Sequence, residues 1–403
     1  MSRPDDNLLS AAAVADPQSF FRRLREHDPV FWSARHNVWL VTEYADVQRC
    51  FQDHNLSSGR MISGFRTRIE NQHGSLVQHA MGLLDGWMLL NDPPAHGRLR
   101  QPVRKAFAPG VVAQLAPRIE MHAHALLDNL QDHCDLVADF SRPLTSLVIC
   151  ELLGVDPAEK DFLSEWSRAF GRLIYGSSSR DSGYVQAAAA MGDLFYERFS
   201  QHLMQRRLEP RDDLLSHLLK ASADASWTEN ELVGACSMLL FAGHDTTSAL
   251  IASGAYVLLG QPQHRAVMFA GPESTRVAVE ELLRFDGPSK TNIRVAQAPF
   301  ELGGHQIDTG QHLWLGVMAA NHDPQVFVDP QRLNLARQPN PHLAFGAGIH
   351  FCLGPSLARL EATIALPALF ERFPNIRLSV GDEIAYSPTV VDRSLLALPV
   401  QLG

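Results

Sequence analysis

The stretch from Thr228 to Gln261 constrains this chain more than any other part of it. "TENE" opens the stretch, and Thr228 and Glu231 have the S/T-x-x-E spacing of a capping box. In such a box each side chain satisfies an orphan N–H of the first helical turn. The apolar run "LVGACSMLLFAGHDTTSALIASGAYVLLG" follows and stops before Pro262. It holds about 30 residues, or roughly 45 Å of helix. A helix of that length crosses a whole domain, so its centre is expected to be deeply buried. The uncharged part, Thr246 to Gln263, carries Thr, Ser, Gly and Gln and directly follows Asp245, which reads as a buried helix and not a membrane span.

The centre of this helix, "AGHDTTS" (242–248), is poor helix sequence. Glycine costs about 1 kcal/mol there relative to alanine, and Asp and Thr are weak helix formers. A buried Asp is also expensive unless it is paired or hydrogen-bonded. The plain reading is a packing notch, in which Gly243 admits another helix and Thr246 bonds back to a carbonyl. Gly, Asp, Thr, Thr and Ser within one turn favour a functional reading, a local conflict kept for its chemistry. On that reading the helix is loosened here, opening a groove that offers a hydroxyl and a carboxyl to water or dioxygen.

A second feature is "FGAGIHFCLG" (345–354), with one cysteine among three glycines. Gly346, Gly348 and Gly354 would let the backbone turn tightly and approach something flat and bulky. Pro355 suits the first turn of the helix that follows, so Cys352 sits just before a helix N-terminus, where its thiol is expected to ionise. Zinc lacks further ligands at suitable spacing. A nucleophilic cysteine needs a base, which remains open. An inert buried thiol leaves the glycines unexplained, whereas a single thiolate on haem iron accounts for both.

The five cysteines (Cys50, Cys134, Cys150, Cys236 and Cys352) show no CxxC spacing and fit a reducing cytoplasm. The net charge of −9 argues against nucleic-acid binding. The start, "MSRPDDNLLSAAAVADPQSF", has no apolar run suited to a signal peptide or anchor, so no membrane association is expected. No repeat or linker divides residues 1–403, and one domain is expected. "NVWLVTEY" (37–44) reads as a strand and "ADVQRCFQD" as a helix. Two or three short strands with a "GG" turn are expected over 293–317, while 111–285 is mainly helical. The fold class is mainly α with a minor sheet of sequence-distant strands.

These motifs, in this order, resemble the cytochrome P450 superfamily in its soluble bacterial form, across essentially the whole chain. "FGAGIHFCLG" is similar to the haem-binding loop F-x-x-G-x-x-x-C-x-G, and "AGHDTT" to the A-G-x-[DE]-T-T segment of the long distal helix. "EELLR" supplies E-x-x-R as Glu281 and Arg284, and "NDPPAHGRLR" matches a propionate-binding segment. "NHDPQVFVDPQRLNLAR" matches the meander before the loop, with Leu333 where phenylalanine is common.

The resemblance implies a haem (heme b, iron protoporphyrin IX) held between the long distal helix and the proximal cysteine loop and helix. Cys352 would be the metal ligand, with Phe345, Gly346, Gly354, Ala242, Gly243 and Thr246 lining the cofactor. His96, Arg100, Arg294 and His350 would meet its propionates, and Glu281 with Arg284 would form a structural pair. Asp245 and Thr246 resemble the acid–alcohol pair that feeds protons to dioxygen, and His244, on a different helical face, is not expected to be catalytic. The segment 54–94 corresponds to a variable loop over the substrate pocket. Candidate pocket walls are Met61, Ile62, Phe65, Leu239, Ala242, Lys290, Asn292, Ile293, Val390 and Val391. Lys290, Asn292 or a loop arginine (Arg66 or Arg68) could grip a polar tail of the substrate.

The implied activity is a cytoplasmic monooxygenase that hydroxylates or epoxidises a small-to-medium organic molecule with O2. Electrons would come from a separate ferredoxin with its reductase, or from a flavodoxin-type donor. Arg98, Arg104 and Lys105 would offer an acidic ferredoxin a basic face. Alternatives are a peroxide-using, desaturating or ring-coupling relative, and a haem-thiolate sensor or carrier without turnover.

Overall fold

The computed structural model describes residues 4–175, 182–379, 381 and 384–403. The helices that matter below are α1 (Pro17–His27), α2 (Tyr44–Gln52), α3 (Arg60–His73), α4 (Ala95–Ala106), α5 (Arg142–Leu153), α6 (Lys160–Tyr175), α7 (Glu229–Gly260), α8 (Pro272–Asp286) and α9 (Pro355–Arg372). The strands are β1 (Val30–Ser33), β2 (Val38–Val41), β3 (Leu56–Ser57), β4 (His133–Asp135), β5 (Asn292–Ala296), β6 (Phe300–Leu302), β7 (His305–Ile307), β8 (His312–Leu315), β9 (Arg377–Leu378) and β10 (Pro399–Gln401). The chain groups into two compact units, one of Met1–Ser57, Ala123–Ser141 and Thr246–Gly403, the other of Ser58–His122 and Arg142–Asp245.

The first unit holds a five-stranded sheet in the order β1-β2-β8-β5-β3. β2 runs parallel to β8 and antiparallel to β1. Alternation sends Val30, Trp39 and Val41 to one face, with Val47, Cys50 and Phe51 of α2. Phe31, Val38 and Leu40 go to the other face, against Phe20, Phe21 and Leu24 of α1. Both faces are covered, which is why β2 is buried along its whole length. A three-stranded sheet, β4-β10-β9, joins residues far apart in sequence. Over 293–317 there are four strands where two or three were expected. "FEL" and "HQI" are too short and too mixed in polarity to stand out, and they pair only as a hairpin around Gly303 and Gly304, both at positive φ.

In the second unit the expected loop over 54–94 is largely helical. α3 fills Arg60–His73, and shorter helical turns follow through Leu90. Ile62 and Ile69 are buried one face apart by seven residues, a helical spacing within "RMISGFRTRIENQH".

The capping box forms as expected on α7. Thr228 N–H donates to Glu231 Oε2 at 2.9 Å, and Glu231 N–H to Thr228 Oγ1 at 3.2 Å. The expected loosening at 242–248 is absent, because α7 is unbroken from Glu229 to Gly260. Packing keeps the poor helix formers in register. A β-carbon on Gly243 would come within 2.6 Å of Ile149 Cδ1 on α5, so this glycine is the packing notch. Ser248 Oγ lies 2.9 Å from Ser141 Oγ in a buried hydroxyl pair.

Candidate active site

In the first unit the cysteine loop is built on α2. Gly346 and Gly348 have φ of +69° and +71°, the left-handed region open to glycine. A β-carbon on Gly346 would touch the Phe51 ring, and one on Gly348 would collide with the Phe51 carbonyl. Gly354 differs from expectation. It caps α9 with an ordinary φ of −103° and is not one of the tight turns. Cys352 N–H donates to the Phe345 carbonyl at 2.9 Å, which closes the loop. Cys352 is half-buried, His350 likewise, and Phe351 is exposed.

Burial pushes the thiols of Cys50, Cys150 and Cys236 up to about 12 and that of Cys134 up to about 11, so those four stay protonated and inert. Among the described residues no group of three or more His, Cys, Asp or Glu could hold a metal ion. A half-exposed sulfur just before a helix N-terminus, on a loop whose glycines remove side-chain bulk, fits a haem, which would need one protein sulfur, and does not fit a zinc cage.

Arg294 on β5 is buried, donates to the Ile293 carbonyl at 2.8 Å and stands over the Phe51 ring at 5.5 Å. The structure therefore brings Arg294 and the glycines of the cysteine loop to one residue, Phe51. Below the loop, Glu280 binds Arg359 at 2.6 Å and His342 at 3.0 Å. Burial acts upward on the Glu280 carboxyl, and the two partners outweigh it, bringing it down to about 2.

Glu281 and Arg284 form the expected pair one turn apart on α8, bidentate at 2.7 and 2.8 Å and fully buried. Arg284 also donates to the carbonyls of Asn321 and Pro330, which fixes the meander. Sequence reasoning missed Arg337, whose Nε donates to Glu281 Oε2 at 3.0 Å, and Asn340, which donates to the same oxygen at 3.2 Å. Arg337 closes the matched meander and Asn340 lies three residues beyond it, and position was their only signal.

Lys290 and Thr291 donate to the C-terminal segment: both N–H groups bond the Val391 carbonyl, and Thr291 Oγ1 bonds that of Val390. Of the candidate walls, Lys290 is thus brought to the Val390–Val391 segment, while Asn292 and Ile293 pair with Leu315 and Trp314 of β8. The Lys290 ammonium is buried and donates to the Thr389 carbonyl, and burial lowers it to about 8.

In the second unit, α7 presents Leu239, Ala242, Gly243 and Asp245, with Thr246 next along the same helix. Ala242 and Thr246 are exposed, and Leu239 is buried. Asp245 accepts from Ser167 Oγ of α6 at 2.9 Å and lies 3.1 Å from Nδ1 of the fully buried His244. Burial raises the Asp245 carboxyl, but His244, Ser167 and the Arg142 guanidinium leave it below its ordinary value. His96 and Arg100 are four residues apart on α4, and burial followed by the Arg100 charge lowers the His96 imidazole. Met61 and Phe65 are half-buried on α3. Arg66 is bonded to Glu70 and Asp85 at 2.8 and 2.5 Å. Arg98, expected on a basic docking face, is instead held in a fork by Glu231, its Nη1 at 3.0 Å from Oε2. The capping box had already placed a carboxylate there, and Arg98 is still exposed, as are Arg104 and Lys105 farther along α4.

The sequence matches the family described as Cytochrome P450 over residues 162–269 and 273–384. It is 33% identical to a biotin biosynthesis cytochrome P450 of Bacillus subtilis, over 98% of each chain. It is 37% identical to a vitamin D(3) 25-hydroxylase of Pseudonocardia autotrophica, over 98% of this chain and 96% of the other. The structure superposes on P450BioI, solved in complex with hexadec-9Z-enoic acid ligated acyl carrier protein, with a TM-score of 0.88 at 31% identity, covering 97% of this chain and 100% of the other. Among the described residues no helix is long and apolar enough to cross a membrane.

Proposed function

The chain belongs to the cytochrome P450 family and is a haem-thiolate monooxygenase, and we propose that it oxidises an apolar natural-product or fatty-acyl skeleton in the cytoplasm. The observation that carries the reading is Cys352, a half-buried sulfur held before a helix N-terminus by a glycine loop closed on Phe345. When bound, haem supplies dioxygen activation and delivery of one oxygen atom to the substrate. It is heme b in this proposal, since no Cys-x-x-Cys-His stretch offers covalent attachment.

The chain's own residues have distinct tasks. Cys352 donates its sulfur lone pair. Arg294 and Arg100 carry the sign of charge that two propionates need, and His350 and His96 offer ring nitrogens as further polar contacts. Ala242 and Gly243 leave α7 without bulk, Thr246 offers a hydroxyl, and Asp245 moves protons from solvent to it. Met61, Ile62, Phe65, Leu239, Ile293, Val390 and Val391 supply apolar surface for a carbon skeleton. The relatives whose names cite a hydroxylase and a fatty-acyl carrier complex support that class. Lys290 and Asn292 stand beside the Val390–Val391 segment as candidate polar contacts, Lys290 by releasing Thr389. Electrons come from a ferredoxin or flavodoxin-type partner, for which Arg98, Arg104 and Lys105 are exposed cations, Arg98 with Glu231 beside it.

The test is spectral and isotopic. The haem-loaded protein is expected to show the thiolate signature in its reduced carbon monoxide spectrum and to place one atom of labelled O2 in product, with reductant consumption dependent on substrate. A Cys352→Ser variant that keeps the same spectrum would sink the ligand assignment. Reductant consumption that never responds to substrate would point to a sensor or carrier.

A further inference from the structure

We propose that Ser167 and His244 are positioning residues that clasp the Asp245 carboxylate from two sides, keeping it ionised and in one orientation. The proposal rests on the reading of Asp245 as the relay acid.

The two oxygens of Asp245 face different side chains, one through a hydrogen bond and the other through a close contact. Oδ2 accepts a hydrogen bond from Ser167 Oγ at 2.9 Å, and Oδ1 lies 3.1 Å from His244 Nδ1, a close approach without hydrogen-bond alignment. Ser167 is fully buried on α6, beside the equally buried Trp166 and, one turn on, Phe170. A hydroxyl in such an aromatic wall is costly unless it is bonded, and the bond it makes is to the carboxylate. His244 is fully buried as well, so neither arm is a mobile surface group. The Asp245 side chain is half-buried, and Ser167 holds one of its oxygens in place.

The groups facing Asp245 are His244 on α7, Ser167 on α6 and Arg142 at the start of α5. All three favour the carboxylate over the neutral acid and together outweigh burial. A relay acid must return to its ionised form after each proton it passes on. The clasp supplies that resting state, and it gives way when a proton arrives from water. It also explains why His244, on a different face from Thr246, still matters: it acts through its neighbour's carboxylate and never touches the reacting atoms.

The test uses the haem-loaded protein in its diamagnetic ferrous carbon monoxide form, with ¹³C-carboxyl aspartate. The Asp245 signal is identified by its loss in Asp245→Asn. Its titration midpoint is expected to move upward in Ser167→Ala, and to return in Ser167→Thr, which restores the hydroxyl. His244→Leu removes the other arm and should move the midpoint the same way, so the measurement does not depend on one variant folding. In parallel, dioxygen uptake driven by a plant-type ferredoxin and its reductase is followed against pH without added substrate. Its acid limb is expected to rise with the midpoint. A midpoint unmoved in both Ser167→Ala and His244→Leu overturns the clasp. A midpoint that moves while the uptake profile stays put supports the clasp and removes the relay role from Asp245.

Discussion

Gly348 packs so tightly on Phe51 that a β-carbon would collide with the Phe51 carbonyl oxygen, and its φ of +71° is one that side chains resist. Gly348→Ala therefore adds a conformational cost of about 1–2 kcal/mol and pushes the cysteine loop off α2. Haem content per chain and melting temperature should both fall. Gly354→Ala, at an ordinary φ of −103°, carries no such backbone strain and should fall less. Equal losses in the two variants would contradict this account of the loop.

The carboxylate of Glu281 is the sole acidic centre in the network described here, and it takes donors from Arg284, Arg337, Asn340 and the backbone of Asn334. Glu281→Gln leaves two guanidinium groups buried without their counter-charge. Breaking such a pair costs about 3–5 kcal/mol. The expected result is a large fall in the urea midpoint, with meander residues near Arg337 losing amide-exchange protection first. A change below about 1 kcal/mol would mean that the network is solvated in solution.

What could be read from sequence was what repeats locally. The capping box of Thr228 and Glu231, the period-2 faces of β1 and β2, the Glu281–Arg284 turn and Pro355 starting α9 all lie within a few residues. What could not be read depended on distance or on conformation. Ser167 reaches Asp245 across 78 residues, and Arg337 reaches Glu281 across 56. Gly348 and Gly354 are the same letter in one motif, yet only one has positive φ. In the centre of α7, weak helix propensity foretold a break, but tertiary packing around Ile149 and Ser141 holds the helix intact. The partner of Arg98, Glu231, lies 133 residues away, so the pair could not be read from the sequence around Arg98.

Glu361, on the buried face of α9, presents the opposite electrostatic case to Glu280. It is fully buried, and neither carboxyl oxygen has a hydrogen-bond partner among the described residues. Burial raises its carboxyl well above the ordinary 4.5, so it is neutral in the folded protein. An acid whose folded-state value is raised loses stability as pH climbs past the unfolded value, because the unfolded chain then ionises and the folded one does not. Glu361→Gln keeps the shape and removes that ionisation. The variant is expected to match the parent near pH 4.5, and to exceed it increasingly in urea midpoint as pH rises toward 8. Parallel midpoints across that range would show that Glu361 is ionised in the fold, with a partner such as buried water.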